Sequence, residues 1–196
     1  NDRVLNILIK KMAESVKQPL SYSRVTKILS SVGGKITIPT TSSYIEYCED
    51  AWLLLRLHNI NAAFAERETN SKYYFIDNGL LSLLLTDPTT TLLENIVAVS
   101  LFRKYGNSND GERVFFYKQN VEVDFYIPDD ELAIQVSYSI EESDMTEKRE
   151  VEALKKLPKA LSCKRRLIIT YDEEKTIEDE YGVIEVIPCW KWLISR

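Results

Sequence analysis

Two short segments carry polar side chains with the spacing expected of a strand-borne metal or catalytic site. Val121–Tyr126 and Glu131–Tyr138 both alternate apolar and polar residues, so each predicts a β-strand. A hairpin of the two strands would gather on one surface the polar residues Glu122, Asp124, Gln135 and Ser137. Carboxylates gathered in this way can hold a divalent cation beside a phosphate group, which is the chemistry of metal-dependent phosphodiester cleavage.

Two of the groups that such chemistry requires are replaced in this chain. Metal-dependent nucleases place an acid on one strand and an acid-x-lysine on the next, where this chain has Asp124, Gln135 and Ser137. A neutral amide oxygen is a weaker ligand for Mg²⁺ than a carboxylate. A serine hydroxyl cannot supply the positive charge that stabilises the transition state. The residues therefore predict weakened cation binding and weakened catalysis.

Composition describes a globular chain with no general attraction for polyanions. The 196 residues are 44% hydrophobic and carry a net charge of −5, so binding to nucleic acid would need a local basic patch. The start lacks Met, which predicts a fragment of a longer protein. No apolar run is long enough for a membrane span and no signal pattern is present, so with isolated cysteines the default expectation is a cytoplasmic location. Cys48, Cys163 and Cys189 are isolated, which predicts reduced thiols and argues against a zinc site.

The N-terminal part predicts three helices joined by tight turns. The first runs from Val4 to Val16 before Pro19. The second begins after Ser21, turns Val25, Ile28, Leu29 and Val32 inward, and ends at Gly33-Gly34. The third is capped by Thr40 or Thr41 and turns Tyr44, Ile45, Cys48 and Trp52 inward. Helices of this length and spacing indicate a helix-turn-helix.

Two strand-like segments, Trp52–Leu57 and Lys72–Ile76, follow and are separated by the polar stretch Glu66–Ser71. Helices followed by a hairpin predict a winged helix over residues 1–86. The third helix presents Thr40, Ser42, Ser43, Glu46, Glu49 and Asp50, and its acidic side chains would repel a phosphate backbone. This surface favours a scaffold role over direct DNA reading.

Pro88 within the segment Thr86–Thr91 marks the predicted domain boundary, so residues 87–196 form a second domain. Its predicted order is αβββαβ with a tail that contains Trp190 and Trp192. The helices are expected at 92–105 and 145–157, the strands at 113–117, 121–127, 132–138, 166–171 and 182–187, and a solvated acidic stretch at 173–180. The fold class is therefore α/β, or α+β for the chain as a whole.

The αβββαβ order resembles the restriction-endonuclease-like, PD-(D/E)xK superfold. The resemblance implies that Glu94 matches the acid of the first helix and Asp124 the acid of the second strand, with Gln135 at the second metal-binding carboxylate and Ser137 at the lysine. It thus gives Glu94, Asp124 and Gln135 as metal ligands and Asp124, Gln135 and Ser137 as a vestigial catalytic set. Lys118, on the neighbouring strand, is a further candidate to replace the lysine.

A second resemblance covers nearly the whole chain. The segments Ser21–Ser23, Tyr44–Trp52, Lys72–Leu80, Leu93–Asn95 and Glu122–Asp124 are similar to the C-terminal region of prokaryotic AAA-type, STAND-like P-loop ATPases. In that family an ATPase module precedes a winged helix and a nuclease-like domain of unknown function. The chain itself has no Gly-x-x-x-x-Gly-Lys-Ser/Thr, so the family relationship implies that the ATPase module is a partner outside this fragment.

The resulting expectation is a non-catalytic regulatory or interaction region that needs no cofactor, with Mg²⁺ or Mn²⁺ bound only if the nuclease-like site works. One alternative is a weak divalent-metal DNA nuclease. Another is a DNA-binding adaptor that acts through the winged helix, with binding that depends on Lys27 or Lys35. DNA and a second copy of the chain remain candidate partners, and no membrane partner is expected.

Overall fold

The computed structural model describes residues 2–106, 112–140 and 144–195. The chain has a mixed α/β fold with two compact units. Unit 1 contains residues 1–58 and 62–95, and unit 2 contains residues 59–61 and 96–196. No helix in the described part of the chain is long and apolar enough to cross a membrane.

Unit 1 starts with three helices and continues with a small antiparallel sheet. Its elements are α1 (Asp2–Glu14), β1 (Leu20–Ser21), α2 (Tyr22–Gly33), α3 (Ile38–Asp50), β2 (Leu54–Asn59), α4 (Phe64–Thr69), β3 (Asn70–Phe75), α5 (Asn78–Leu84) and the start of α6 (Thr89–Tyr105). β3 pairs in antiparallel fashion with both β1 and β2. Buried residues such as Leu8, Val25 and Ile45 hold the helices together, as their helical spacing predicts.

Sequence patterns locate the second helix well and the third helix less well. Ser21 caps α2 by accepting the Arg24 backbone N–H, as predicted, and Gly34 follows the end of α2 with a φ of 81°. The predicted Thr40 or Thr41 cap is wrong, because Thr37 fills that place and accepts the Thr40 N–H. Pro39 explains the earlier start, since proline is well tolerated in the first helical turn.

Three further expectations in unit 1 are wrong. Trp52 was expected to face inward, but it follows the end of α3 with a φ of 56° and is 72% exposed. Val32, near the end of α2, is likewise exposed. The polar stretch between the strands contains most of α4, because Phe64–Thr69 forms a helix where a turn was expected. Neither a left-handed residue nor a short polar helix leaves a periodic hydrophobic signal.

Unit 2 contains the remainder of α6 and a mixed sheet. Its other elements are β4 (Phe115–Lys118), β5 (Glu122–Ile127), β6 (Leu132–Val136), α7 (Asp144–Lys156), β7 (Arg165–Thr170), β8 (Lys175–Asp179), β9 (Gly182–Pro188) and α8 (Cys189–Ile194). β4, β5 and β6 form an antiparallel meander. α7 then leads to β7, which runs parallel to β6, and β9 runs parallel to β7.

One core cluster of unit 2 lies between the sheet and α7. Ile168 and Val186 of the central parallel strands pack with Leu154 of α7, and all three are almost fully buried. Strands buried on both faces are expected to read as continuous apolar runs, as β7 does. The acidic stretch predicted as solvated contains β8, which pairs with β9 in antiparallel fashion.

β8 carries half of a buried ion pair. The guanidinium of Arg166 on β7 is only 2% exposed and donates to both carboxylate oxygens of Asp179, at 2.6 and 2.7 Å. These hydrogen bonds hold the pKa of Asp179 below its usual range. The pairing explains why a charged segment is ordered as a strand, because it provides the buried Arg166 with its counter-charge.

A short segment from earlier in the chain completes unit 2. The side chain of Asn59 donates to the carbonyl of Lys118 at 2.9 Å and accepts the Lys118 N–H at 3.1 Å. The Ile60 N–H donates to the carbonyl of Phe116 at 2.9 Å. Residues 59–61 therefore act as a partner for β4.

Candidate functional site

Asp124 and Gln135 face each other across the β5–β6 pair, as the alternation of the two strands predicts. The antiparallel register pairs Phe125 with Ile134, and its continuation places Asp124 opposite Gln135. At this position the side chains of Asp124 and Gln135 make cross-strand hydrogen bonds to backbone N–H groups. Gln135 Oε1 accepts the Asp124 N–H at 2.7 Å, and Asp124 Oδ2 accepts the Val136 N–H at 3.0 Å. Both side chains thus join the two strands.

The amide nitrogen of Gln135 has two further acceptors. It donates to the carbonyl of Glu122 at 3.1 Å and to Glu150 Oε2, on α7, at 2.6 Å. Gln135 and Glu150 are 3% and 5% exposed, so these bonds form in a buried environment. The Gln135 side chain consequently connects β5, β6 and α7, and its carbonyl oxygen already accepts a backbone hydrogen bond.

Glu150 connects this buried group to a cation at the surface. Its Oε1 accepts hydrogen bonds from the guanidinium of Arg149, which is largely exposed. The bond to Glu150, with the nearby charges of Asp124 and Glu122, raises the pKa of Arg149. Three acids, Glu122, Asp124 and Glu150, therefore share this end of the sheet with Arg149. Of these four residues, α7 supplies Arg149 and Glu150.

Ser137 and Lys118, the two candidates related to the missing lysine, have other local partners. Ser137 is buried; its hydroxyl donates to the carbonyl of Ser139 at 2.8 Å, and its N–H donates to Ile169 of β7. The ammonium of Lys118 lies 2.7 Å from Glu122 in an exposed ion pair. Lys118 therefore brings a cation to one acid of the candidate site, while the Ser137 side chain stabilises the turn that follows β6.

Glu94 lies in unit 1, on the first part of α6. Its carboxylate accepts a hydrogen bond from the hydroxyl of Tyr74 at 2.8 Å and lies 3.6 Å from the ammonium of Lys17. At 1% exposure it is among the most buried acids in the described chain. These contacts are those of a buried acid within unit 1.

The neighbouring Asn95 forms a second structural contact in unit 1. Its side chain accepts the Phe75 N–H and donates to the Phe75 carbonyl, both at 2.8 Å, and also donates to Asn78. This side chain therefore hydrogen-bonds to the end of β3 as a neighbouring strand would. Asn95 of the Leu93–Asn95 segment therefore has a structural role in unit 1.

No group of three or more His, Cys, Asp and Glu side chains in the described residues is arranged to hold a metal ion. Gln135 Oε1 and Asp124 Oδ2 each already accept a backbone hydrogen bond, so a cation at either atom would compete with a strand N–H. Sequence reasoning missed Glu150 and Arg149. A glutamate on the buried side of the predicted helix, next to an arginine, was the signal in the sequence that could have found them. Contacts between a helix and a distant strand cannot be read from periodicity.

Comparison with known proteins gives relatives without an assigned activity. Residues 2–91 match a family described as a domain of unknown function, DUF8612. An uncharacterized protein of Methanocaldococcus jannaschii is 32% identical over 199 residues, which cover 97% of this chain and 43% of the relative. An uncharacterized protein of Haemophilus influenzae is 28% identical over 146 residues, which cover 71% of this chain and 35% of that relative. No solved structure matches the chain significantly. The chain is therefore similar to, and spans less than half the length of, these two curated relatives.

Proposed function

We propose that this chain is a non-catalytic regulatory or interaction region of a prokaryotic AAA-type ATPase, with a winged helix in unit 1 and a degenerate nuclease-like fold in unit 2. The order of α6, the β4–β5–β6 meander, α7 and the parallel β7 supports the nuclease-like assignment. The order of three helices and an antiparallel β1–β3–β2 sheet supports the winged helix. The P-loop module would lie in the remaining part of the longer polypeptide.

The observation that carries the non-catalytic assignment is the use of the Gln135 side chain. In the nuclease plan its position belongs to a metal-binding carboxylate, but here its amide nitrogen donates to the Glu122 carbonyl and to Glu150 of α7, and its oxygen accepts the Asp124 N–H. A cation at the Gln135 oxygen would compete with the Asp124 N–H for that atom. It would gain only a neutral ligand in exchange. The Gln135 side chain therefore stabilises the contact between the strands and α7 and is a poor cation ligand.

A thermal-shift and cleavage experiment tests this assignment. We expect that neither Mg²⁺ nor Mn²⁺ raises the melting temperature of the whole chain and that neither supports cleavage of plasmid or single-stranded DNA. Asp124→Ala is the matched control for specific binding at the site. A Mn²⁺-induced rise in melting temperature that Asp124→Ala abolishes would contradict the proposal.

The alternative of a weak divalent-metal nuclease is favoured by one observation. The charges of Asp124 and Glu122 act on Arg149, so α7 brings a cation near the strand acids. Arg149 could thus supply the positive charge that Ser137, at the lysine position, lacks. This alternative requires metal-dependent cleavage by purified protein that disappears in both Asp124→Ala and Arg149→Gln. Cleavage that persists in both variants would indicate a contaminating nuclease.

The ATPase relationship has its own direct test. A Gly-x-x-x-x-Gly-Lys-Ser/Thr in the part of the M. jannaschii relative that this chain does not match would support it. Deletion of the matching region should then change the rate of ATP hydrolysis by that relative. Absence of the motif would remove the ATPase from the proposal and leave the interaction role of the chain to be tested alone.

A further inference from the structure

We infer that the outer surfaces of α1 and α2, with the turn after α2, bind the phosphate backbone of duplex nucleic acid. This inference goes beyond the proposed function, which gives unit 1 no ligand. It rests on charge distribution and exposure rather than on the winged-helix assignment.

The first 35 residues have a charge opposite to that of the whole chain. The complete chain has a net charge of −5, yet this segment contains only two acids, Asp2 and Glu14. Its basic residues are Arg3, Lys10, Lys11, Lys17, Arg24, Lys27 and Lys35. A concentration of cations in an acidic protein forms a local positive surface that can attract a polyanion.

Most of these cations are not neutralised by neighbouring acids. Lys11 pairs with Glu14 and Lys17 pairs with Glu94. The other five are exposed and make no ion pair within the described part of the chain: Arg3, Lys10, Arg24, Lys27 and Lys35. Many surface cations of unit 2 are paired, for example Lys164 with Glu131. The free positive charge is therefore concentrated at the start of unit 1.

Helix geometry places the cations of α2 on its outer side. Tyr22, Val25 and Leu29 form the buried side of α2. At 3.6 residues per turn, Arg24 and Lys27 fall on the opposite side, where both are exposed. The exposed hydroxyls of Ser23 and Ser31 lie on the same side, and α2 contains no acid.

A similar arrangement is found on α1. Val4, Leu8 and Met12 are buried, whereas Arg3 and Lys10 are exposed and lie about two turns apart on the outer side. Lys35, exposed after Gly34, extends the basic surface beyond the end of α2. We use the term basic surface for the exposed positions of these five cations on α1, on α2 and after α2: Arg3, Lys10, Arg24, Lys27 and Lys35.

The side-chain types favour duplex nucleic acid over other anionic partners. Lysine, arginine and serine are common donors to phosphate oxygens. The outer side of α2 has no aromatic residue on which the bases of a single strand could stack. A helix that inserts into a membrane surface exposes a continuous row of large apolar residues. On α2, Tyr22, Val25 and Leu29 are buried, and α1 and α2 expose single apolar side chains, Leu5 and Val32. Contacts to the backbone alone predict binding without sequence specificity.

Fluorescence anisotropy of the whole chain with a labelled duplex of about 20 base pairs, measured across a salt series, tests the inference. Five phosphate contacts predict a slope of about −4.5 in a plot of log affinity against log salt, which is about a 500-fold loss between 50 and 200 mM salt. The triple variant Arg24→Gln, Lys27→Gln, Lys35→Gln should lower the magnitude of this slope by about 2.7.

A matched triple variant in unit 2, Arg103→Gln, Lys104→Gln, Lys159→Gln, removes the same charge from exposed positions and should leave the slope unchanged. Thermal unfolding of both triple variants verifies that they fold. Duplex binding is read by anisotropy and the cation site of unit 2 by melting temperature and cleavage, so the two proposals can fail independently of each other.

Three outcomes would overturn the inference. They are absence of duplex binding at low salt, an equal loss of binding in both triple variants, and tighter binding to a single strand or to phosphatidylserine vesicles than to the duplex.

Discussion

Replacing Gln135 by glutamate restores the carboxylate of the nuclease plan with almost no change in shape. The amide nitrogen that is exchanged for oxygen lies 2.6 Å from Glu150 Oε2 and 3.1 Å from the carbonyl of Glu122. The variant would therefore place an acceptor against two acceptors in a buried position. The other oxygen could still accept the Asp124 N–H, as Gln135 Oε1 does at 2.7 Å.

Protonation of one carboxyl limits how much Gln135→Glu lowers the free energy of unfolding. Two carboxylates about 4 Å apart repel by about 4 kcal/mol at an effective dielectric constant of about 20. The pair can instead hold one proton, which costs about 3.7 kcal/mol at pH 7 for a group with an ordinary pKa of about 4.3. The same cost is about 1 kcal/mol at pH 5. Because the introduced carboxyl has its pKa raised in the folded state, the variant loses stability as the pH rises above the ordinary value.

Urea unfolding at pH 5 and pH 7 measures the difference in free energy of unfolding between the wild type and Gln135→Glu. This difference should grow by about 2.7 kcal/mol from pH 5 to pH 7. Gln135→Met is the control for charge, because it loses the hydrogen bonds to Glu150 and Glu122, and also the one from the Asp124 N–H, without adding a charge. Its cost in free energy of unfolding should change much less between pH 5 and pH 7 than that of Gln135→Glu, because it adds no titratable group. A Gln135→Glu variant with the same cost at both pH values would refute the buried contact between Gln135 and Glu150.

Three further predictions concern contacts outside this group. Asp179→Asn should lower the free energy of unfolding by about 3 kcal/mol at pH 7, because it leaves the buried Arg166 cation without its counter-charge. Since the Asp179 pKa is lowered in the folded state, the wild type should lose this advantage as the pH falls below about 4, and a pH-independent difference in urea unfolding would contradict the ion pair. Asn95→Ala should cost about 2–4 kcal/mol in the same assay through the lost hydrogen bonds to Phe75, whereas a cost below about 1 kcal/mol would show that they matter little. Burial raises the pKa of the Cys163 thiol to about 11, so iodoacetamide at pH 8 should alkylate it about 200-fold more slowly in the folded chain than in urea. Peptide mass spectrometry measures this rate, and equal rates in the two states would contradict the burial.

The sequence predicts the strands near the candidate site because they repeat with a period of two. The alternation around Asp124 and around Gln135 indicates the faces of β5 and β6 and the contact between these two residues. The apolar run of β7 similarly indicates a buried strand. Local hydrophobic patterns are reliable here because burial acts on every second residue or on all of them.

Features that depend on distant partners could not be predicted in this way. Glu150 reaches Gln135 from a helix, and Asp179 becomes part of a strand because it pairs with Arg166. Trp52 is exposed because a left-handed residue turns the chain after α3, and one apolar side chain gives no indication of such a turn. The helix cap at Thr37 was missed because several hydroxyl residues compete for the position.

The pairing of Asn59 with Lys118 has a consequence for the order of folding. Residues 59–61 are synthesised long before β4, which they complete, and their hydrogen bonds close a segment of 59 residues. The entropy lost in closing such a segment delays these contacts relative to the local β4–β5 hairpin. A chain emerging from the ribosome must therefore keep this early segment available until Lys118 has been made. A polypeptide that began at residue 96 would lack it altogether, and the outer edge of β4 would be left open to pairing with other chains.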